Sequence, residues 1–231
     1  MIKAIVTDIE GTTSSIRFVH DVLFPYVREH MAAFVRAHAE DPAVSAHLDE
    51  VRRQAGEVLD LDGVIQKLIT WIDTDKKITP LKALQGMLWE TGFHNGDFTG
   101  HVYDDAARCL DGWHAEGITL SVFSSGSTKA QRLLFSHSNV GDLTPLFSGF
   151  YDTRIGAKHE ASAYAAIARD MCLPPADILF LSDIEDELNA ARTAGMQTRW
   201  LVRDREPDPT ASHRQVKDFD AIVSELKDFV R

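Results

Sequence analysis

Cysteine is scarce: Cys109 and Cys172 are the two in 231 residues, and they stand far apart. That argues against a disulfide framework and for a reducing compartment. Long apolar runs are missing, since none approaches the ~18 residues of a membrane-spanning helix. The N-terminal MIKAIVTDIEG lacks the apolar core and small-residue cleavage site of a secretory signal. Positive charge is also in deficit, with 24 Lys and Arg against 35 Asp and Glu, a formal charge of −11. Such a chain has no general affinity for nucleic acid or an anionic membrane. It can bind an anionic small molecule only where a metal ion or a few local cations reverse the field. No GxGxxG, P-loop, HExxH or HxH pattern occurs, which weighs against a dinucleotide cofactor, ATP hydrolysis of the P-loop kind and zinc. The expectation is a soluble, cytoplasmic, monomeric protein with neither nucleic acid nor membrane as partner.

What is present supports a packed core: 44% of residues are hydrophobic and 26% charged. Short, nearly all-apolar segments predict strands of a parallel sheet buried on both faces, at Ile2 to Thr7, Ile118 to Phe123, Ile178 to Leu181 and Thr198 to Val202. A weaker one lies at Phe147 to Tyr151. Helical spacing links Ala130, Leu133, Leu134 and His137, and again Ala161, Tyr164, Ala165 and Ala168. A further helix is expected over Ile184 to Ala194, ending at Gly195. Alternating strand and helix predicts a doubly wound α/β sheet. From Ser14 to about Asn95 the pattern is purely helical, too long for one crossover. This predicts a helical cap over 14–95 inserted into an α/β core of 1–13 and 96–231. Trp71, Trp89, Trp113 and Trp200 read as packing residues, and His20, His30 and His137 as structural or surface groups.

In open α/β sheets ligands bind at the carboxyl ends of the strands. There the sequence places Asp8 and Glu10, then Ser124 and Ser125, then Lys158, then Asp183 with Glu185, Asp186 and Glu187. Carboxylates at Asp8 and Asp183 suit Mg²⁺, a hard cation that takes oxygen ligands and substrate phosphate. Ser124 and nearby N–H groups suit phosphate oxygens at a helix N-terminus. Lys158 can offset phosphate charge, Asp8 can attack phosphorus, and Glu10 can serve as acid and base. Singly each has a plainer reading: a turn aspartate, a serine cap, a solvated lysine, a charged helix start. All four would have to fall by accident at the right strand ends in the right order.

The series Asp8-x-Glu10-Gly11-Thr12, Ser124, Lys158, Asp183 resembles the four motifs of the haloacid dehalogenase-like superfamily, and the insertion resembles its type-1 cap. DIEGTTSSIRFVHDVLFPY, FSSGSTKAQRLLFSHS, YDTRIGAKHEASAYAAIA and FLSDIEDELNAARTAG are similar, more narrowly, to the enolase-phosphatase (acireductone synthase) family within it. Glu10, where most of these phosphatases have Asp, belongs to that narrower pattern. The resemblance implies a bifunctional enzyme of methionine salvage. Its substrate would be 2,3-diketo-5-methylthiopentyl 1-phosphate, which it enolises and then hydrolyses to the acireductone. It implies Asp8 as nucleophile and Glu10 as acid/base, with Ser124, Ser125 and Lys158 on the substrate. One Mg²⁺ per chain would lie on Asp8, Glu10 (carboxylate or main-chain carbonyl) and Asp183. Glu187 would orient metal-bound water. The base of the enolase step stays open between Glu10 and a cap residue. Two rivals remain: a Mg²⁺ phosphatase or phosphomutase without an enolase step, and a phospho-acceptor of the response-regulator kind. The second needs paired acids ending its first strand and the acceptor on a later one, and here the acid two residues after Asp8 and the long helical insertion argue otherwise.

Overall fold

The computed structural model describes residues 1–228, with side chains to 223. Two compact units divide the chain: Met1–Ile16 with Thr99–Arg231, and Arg17–Phe98.

The first unit is built on six parallel strands in the order β3-β2-β1-β4-β5-β6. They are β1 (Ala4–Thr7), β2 (Thr119–Phe123), β3 (Phe147–Tyr151), β4 (Ile178–Ser182), β5 (Gln197–Leu201) and β6 (Gln215–Val216). β1 lies between β2 and β4, with Val6 opposite Ser121 on one side and Phe180 on the other. All four of its residues are buried, as a strand covered on both faces requires. Ala4 and Val6 join Phe123, Phe180, Tyr164, Ile167 and Leu188 in one core cluster under α8 (Ala161–Asp170) and α9 (Glu185–Thr193). α6 (Asp104–Ala115) packs on β2 and on α10 (Phe219–Asp228), while α7 (Thr128–Ser136) packs on β3. The helix over 130–137 ends one residue before His137, which becomes its C-cap. β6 and the helices at 104–115 and 219–228 extend the sequence-based expectation.

The second unit is helical. A short α1 (Ile16–Phe18) passes through a π-helical turn, Val19–Leu23, into α2 (Phe24–His38). Then follow α3 (Pro42–Ala55), α4 (Leu61–Asp73) and α5 (Thr79–Asn95). The boundaries follow local chemistry. Prolines occupy the first turns of α3 and α5, where no N–H is needed. The Asp60 carboxylate caps α4 by accepting from Gly63 N at 2.8 Å. Gly96 ends α5 in the left-handed region, φ 74°. The core joins Val27, Met31 and Val35 of α2 to Leu48, Ile65, Leu68, Leu84 and Leu88 from the other helices. Among the described residues no helix is long and apolar enough to cross a membrane.

Candidate active site

The carboxyl edge of the sheet delivers the expected residues. Thr7, last of β1, hands on to Asp8, whose N–H continues the ladder to Leu181 O at 2.9 Å. The chain then turns tightly: the N–H groups of Thr12, Thr13 and Ser14 all bond Ile9 O, at 3.1, 2.9 and 2.9 Å. The Thr13 hydroxyl donates to Asp8 O at 3.1 Å, which pins the main chain and leaves the Asp8 carboxylate at the strand end. Gly11 makes this turn with φ 76°. A Cβ there would lie 2.3 Å from Asp183 Oδ2, so only glycine lets the two acidic loops come this close.

Lys158 Nζ donates to Asp8 Oδ1 at 2.5 Å and sits 2.8 Å from Glu187 Oε2, with side-chain exposures of 10%, 4% and 13%. Its backbone is fixed by the Tyr164 hydroxyl, which donates to Lys158 O at 2.8 Å. Ser124 Oγ donates to Glu10 Oε2 at 3.3 Å and accepts from Gly126 N at 3.1 Å. Ser127, three residues on, is the residue that caps α7, accepting from Ala130 N at 3.2 Å. The serine run therefore divides its labour between helix cap and site. Ser125 is exposed, and its hydroxyl bonds none of the described residues.

Four carboxylates thus face one ammonium. Burial, then the charge of Asp8, pushes the Asp183 carboxyl up to about 6. The same two causes raise Glu10 and Glu187. Burial works against the Lys158 ammonium, but the charges of Asp8 and Glu187 outweigh it and hold the group above its ordinary value. Removing carboxylates from water raises their proton affinity, and neighbouring like charges add to the effect.

Asp8, Glu10, Ser124, Lys158 and Asp183 are thus gathered at one edge, yet two details differ from expectation. No three His, Cys, Asp or Glu side chains among the described residues converge as a metal cage. The Glu10 carboxylate is turned to Ser124 instead. Glu187, expected on metal-bound water, is engaged by Lys158 and by the Ser182 hydroxyl, which donates at 2.8 Å.

The sequence reading also missed supporting residues. Asp152, buried after β3, accepts from Thr128 N at 3.2 Å and Arg154 N at 3.0 Å. Gln131 Nε2 donates to Gly126 O and Tyr151 O, both at 2.8 Å. From β5 and the turn after it, Trp200 Nε1 and Arg205 donate to Asp183 O at 2.9 and 3.0 Å, and Arg203 Nε donates to Thr12 O at 2.7 Å. The signal was available for the last three, since TRWLVRDR runs off a strand end at the same edge.

The profile of the haloacid dehalogenase-like hydrolases matches residues 2–195. A Methylococcus capsulatus protein described as Enolase-phosphatase E1 is 61% identical over 228 residues, covering 98% of this chain and 100% of its own. A Pseudomonas syringae protein of the same description is 55% identical over 222 residues, 96% of this chain and 97% of its own. The crystal structure of the Saccharomyces cerevisiae UTR4 protein superposes with a TM-score of 0.81 at 28% identity, covering 95% of this chain and 99% of that one. L-2-haloacid dehalogenase from Xanthobacter autotrophicus shares the fold, with a TM-score of 0.60 at 17% identity over 98% of this chain and 99% of its own.

Proposed function

The chain belongs to the haloacid dehalogenase-like hydrolases, and from that premise we propose that it is an enolase-phosphatase. It converts 2,3-diketo-5-methylthiopentyl 1-phosphate to the acireductone and phosphate in methionine salvage, as a cytoplasmic monomer. The observation that carries the reading is the pairing of Asp8, bonded to Lys158, with a half-buried Glu10 whose proton affinity is raised. Relatives 51–61% identical over nearly the whole chain, each described as Enolase-phosphatase E1, support the narrower assignment.

Asp8 attacks phosphorus and becomes the aspartyl phosphate. Glu10, inclined to hold a proton, gives it to the departing oxygen and then takes one from the water that hydrolyses the acyl phosphate. Lys158, Ser124 and Ser125 hold phosphate oxygens. Of these, Ser124 is already oriented through Glu10 and Gly126.

The donor set fits a hard divalent cation. Asp183 Oδ1 is buried with no hydrogen-bond partner, and the Asp183 carboxyl is raised by burial and by Asp8. Carboxylates of Asp8 and Asp183 with the main-chain carbonyl of Glu10 would hold Mg²⁺, one per chain, consistent with the turn of the Glu10 side chain to Ser124. Bound there, Mg²⁺ supplies the positive charge that lets a carboxylate approach a phosphate ester. The helical unit Arg17–Phe98 is assigned the part of a cap that excludes water and selects the apolar tail. For the enolase step, Glu10 and the side chains of the helical unit are the candidate bases.

The test follows enol formation and phosphate release together in the wild type and in Asp8→Asn. The wild type should form both products with Mg²⁺ and neither after chelation. Asp8→Asn at saturating Mg²⁺ should accumulate an ultraviolet-absorbing enol that keeps its phosphate. Phosphate release from the wild type without enol would reduce the protein to a simple phosphatase. An Asp8→Asn variant that binds substrate but makes no enol would show that Asp8 also takes part in the proton transfer.

A further inference from the structure

The turn after β5 reaches both acidic loops without supplying a carboxylate to the site. Arg203 is 9% exposed at its side chain and uses its three nitrogens on two partners. Nε donates to Thr12 O at 2.7 Å, while NH1 and NH2 meet the two oxygens of Asp105 at 3.0 Å each. Asp105 in turn accepts from Phe219 N at 2.9 Å. The guanidinium lies 3.9 Å above the Tyr103 ring, and Tyr103 N donates to Thr13 O at 3.0 Å. Only a planar fork can meet a carboxylate with two parallel bonds and keep Nε for a carbonyl; a lysine ammonium cannot.

Thr12 adjoins Gly11, whose backbone lies against the Asp183 carboxylate. Asp183 is held from the far side by Trp200 Nε1 and Arg205, both on its main-chain carbonyl. Arg205 also stacks on the Trp200 ring, 5.0 Å from its centroid. One short segment therefore fixes the Asp8 loop by Arg203 and the Asp183 loop by Trp200 and Arg205.

We propose that Arg203, oriented by Asp105, is a positioning residue that sets the spacing of the Asp8 and Asp183 loops and thereby the affinity for a divalent cation. Trp200 does the same for the second loop. The inference rests on the Mg²⁺ reading of the site. Outer partners that orient metal ligands typically change metal affinity by 10–100-fold when removed.

The experiment measures the Mg²⁺-induced rise in Tm without substrate, and the Mg²⁺ midpoint of phosphate release, in Arg203→Lys, Arg203→Met and Trp200→Phe. Mg²⁺ that binds the folded state raises Tm, so the thermal shift reports affinity independently of turnover. Both arginine variants should need about tenfold more Mg²⁺ for the same thermal shift, and Arg203→Lys should not rescue. Trp200→Phe, which keeps an aromatic side chain but loses the indole N–H and part of the ring system, should need about threefold more, within the range of a single lost hydrogen bond. Should Arg203→Met fail to fold, Arg203→Lys and Trp200→Phe decide the matter. A lowered Tm with wild-type Mg²⁺ midpoints would make the segment a structural prop and overturn the inference. A wild type with neither a Mg²⁺ thermal shift nor Mg²⁺-dependent release would overturn the functional reading instead.

Discussion

Among the described residues, Gln85 is the one buried polar side chain of the helical unit, whereas the α/β unit buries Asp8, Ser124, Asp152, Ser182 and Arg199 among others. Ion pairs divide in the same way. Arg36–Asp62 in the helical unit leaves 57% and 75% of its side chains exposed, while Lys158–Asp8 in the α/β unit leaves 10% and 4%. Burying charge costs several kcal/mol per ion unless partners meet it in good geometry. A unit whose task is packing avoids that cost by keeping charge on the surface. The unit that handles phosphate accepts it, and surrounds each buried group with directed bonds.

The largest effect should come from removing the cation on which the buried carboxylates depend. A unit-charge interaction near 4 Å is about 4 kcal/mol at an effective dielectric of 20, roughly a thousandfold in rate. Lys158→Met should therefore lower kcat/KM by about three powers of ten. Its Tm should fall as well, because Asp8 and Glu187 lose their shared counter-ion. A variant within about threefold of wild type would remove Lys158 from the chemistry.

In the helical unit the corresponding loss is one of packing. Leu68 is fully buried among Val27, Met31 and Ile65 in the apolar core, and Leu68→Ala should cost about 2–5 kcal/mol. Thermal unfolding should show that loss, while the Mg²⁺ midpoint stays at the wild-type value. A shifted midpoint would break the separation of packing from chemistry.

The smallest effect contrasts two aspartates in acid. Burial raises the Asp105 carboxyl, but Arg203 and the Phe219 N–H outweigh it and hold the group below its ordinary 3.8. A depressed folded value means that its stabilisation is complete above 3.8 and is lost as pH falls towards the folded value. The Tm difference between wild type and Asp105→Asn should therefore be full at pH 6 and shrink below pH 4. Asp62→Asn, at an exposed pair, should leave Tm nearly unchanged at every pH. Equal pH dependence in the two variants would erase the contrast between buried and exposed pairs.

The legible part of the sequence was the part written in runs. Segments such as AIVT and ILFLS are apolar up to a last hydroxyl residue, and strand ends of this kind located Asp8, Ser124 and Asp183 at one edge. Within the helical stretch α3 has the faintest pattern, because its buried stripe is only Val44, Leu48 and Val51 in a polar helix. β6 has two residues, too few for any period. Arg203 stood at a legible strand end, but its bonds did not show: one partner is a main-chain carbonyl 191 residues away, which has no letter in the sequence, and the other is Asp105, 98 residues away. Trp200 was read as packing, which its 8% exposure fits, but its indole N–H also holds Asp183.

The central place of β1 in the sheet has a consequence for how the protein is made. β1 comes first in the order of synthesis, yet its neighbours β2 and β4 begin at Thr119 and Ile178. At 5–20 residues per second, the ribosome delivers β4 roughly ten to thirty-five seconds after β1. Throughout that interval an apolar strand waits with at least one edge unpaired, the state in which chains recruit chaperones or each other. The helical segment Arg17–Phe98 is emitted whole before either neighbour exists. Asp8, translated near the beginning, meets Lys158 only after 150 further residues, so no nascent fragment that stops short of β4 can carry the assembled site.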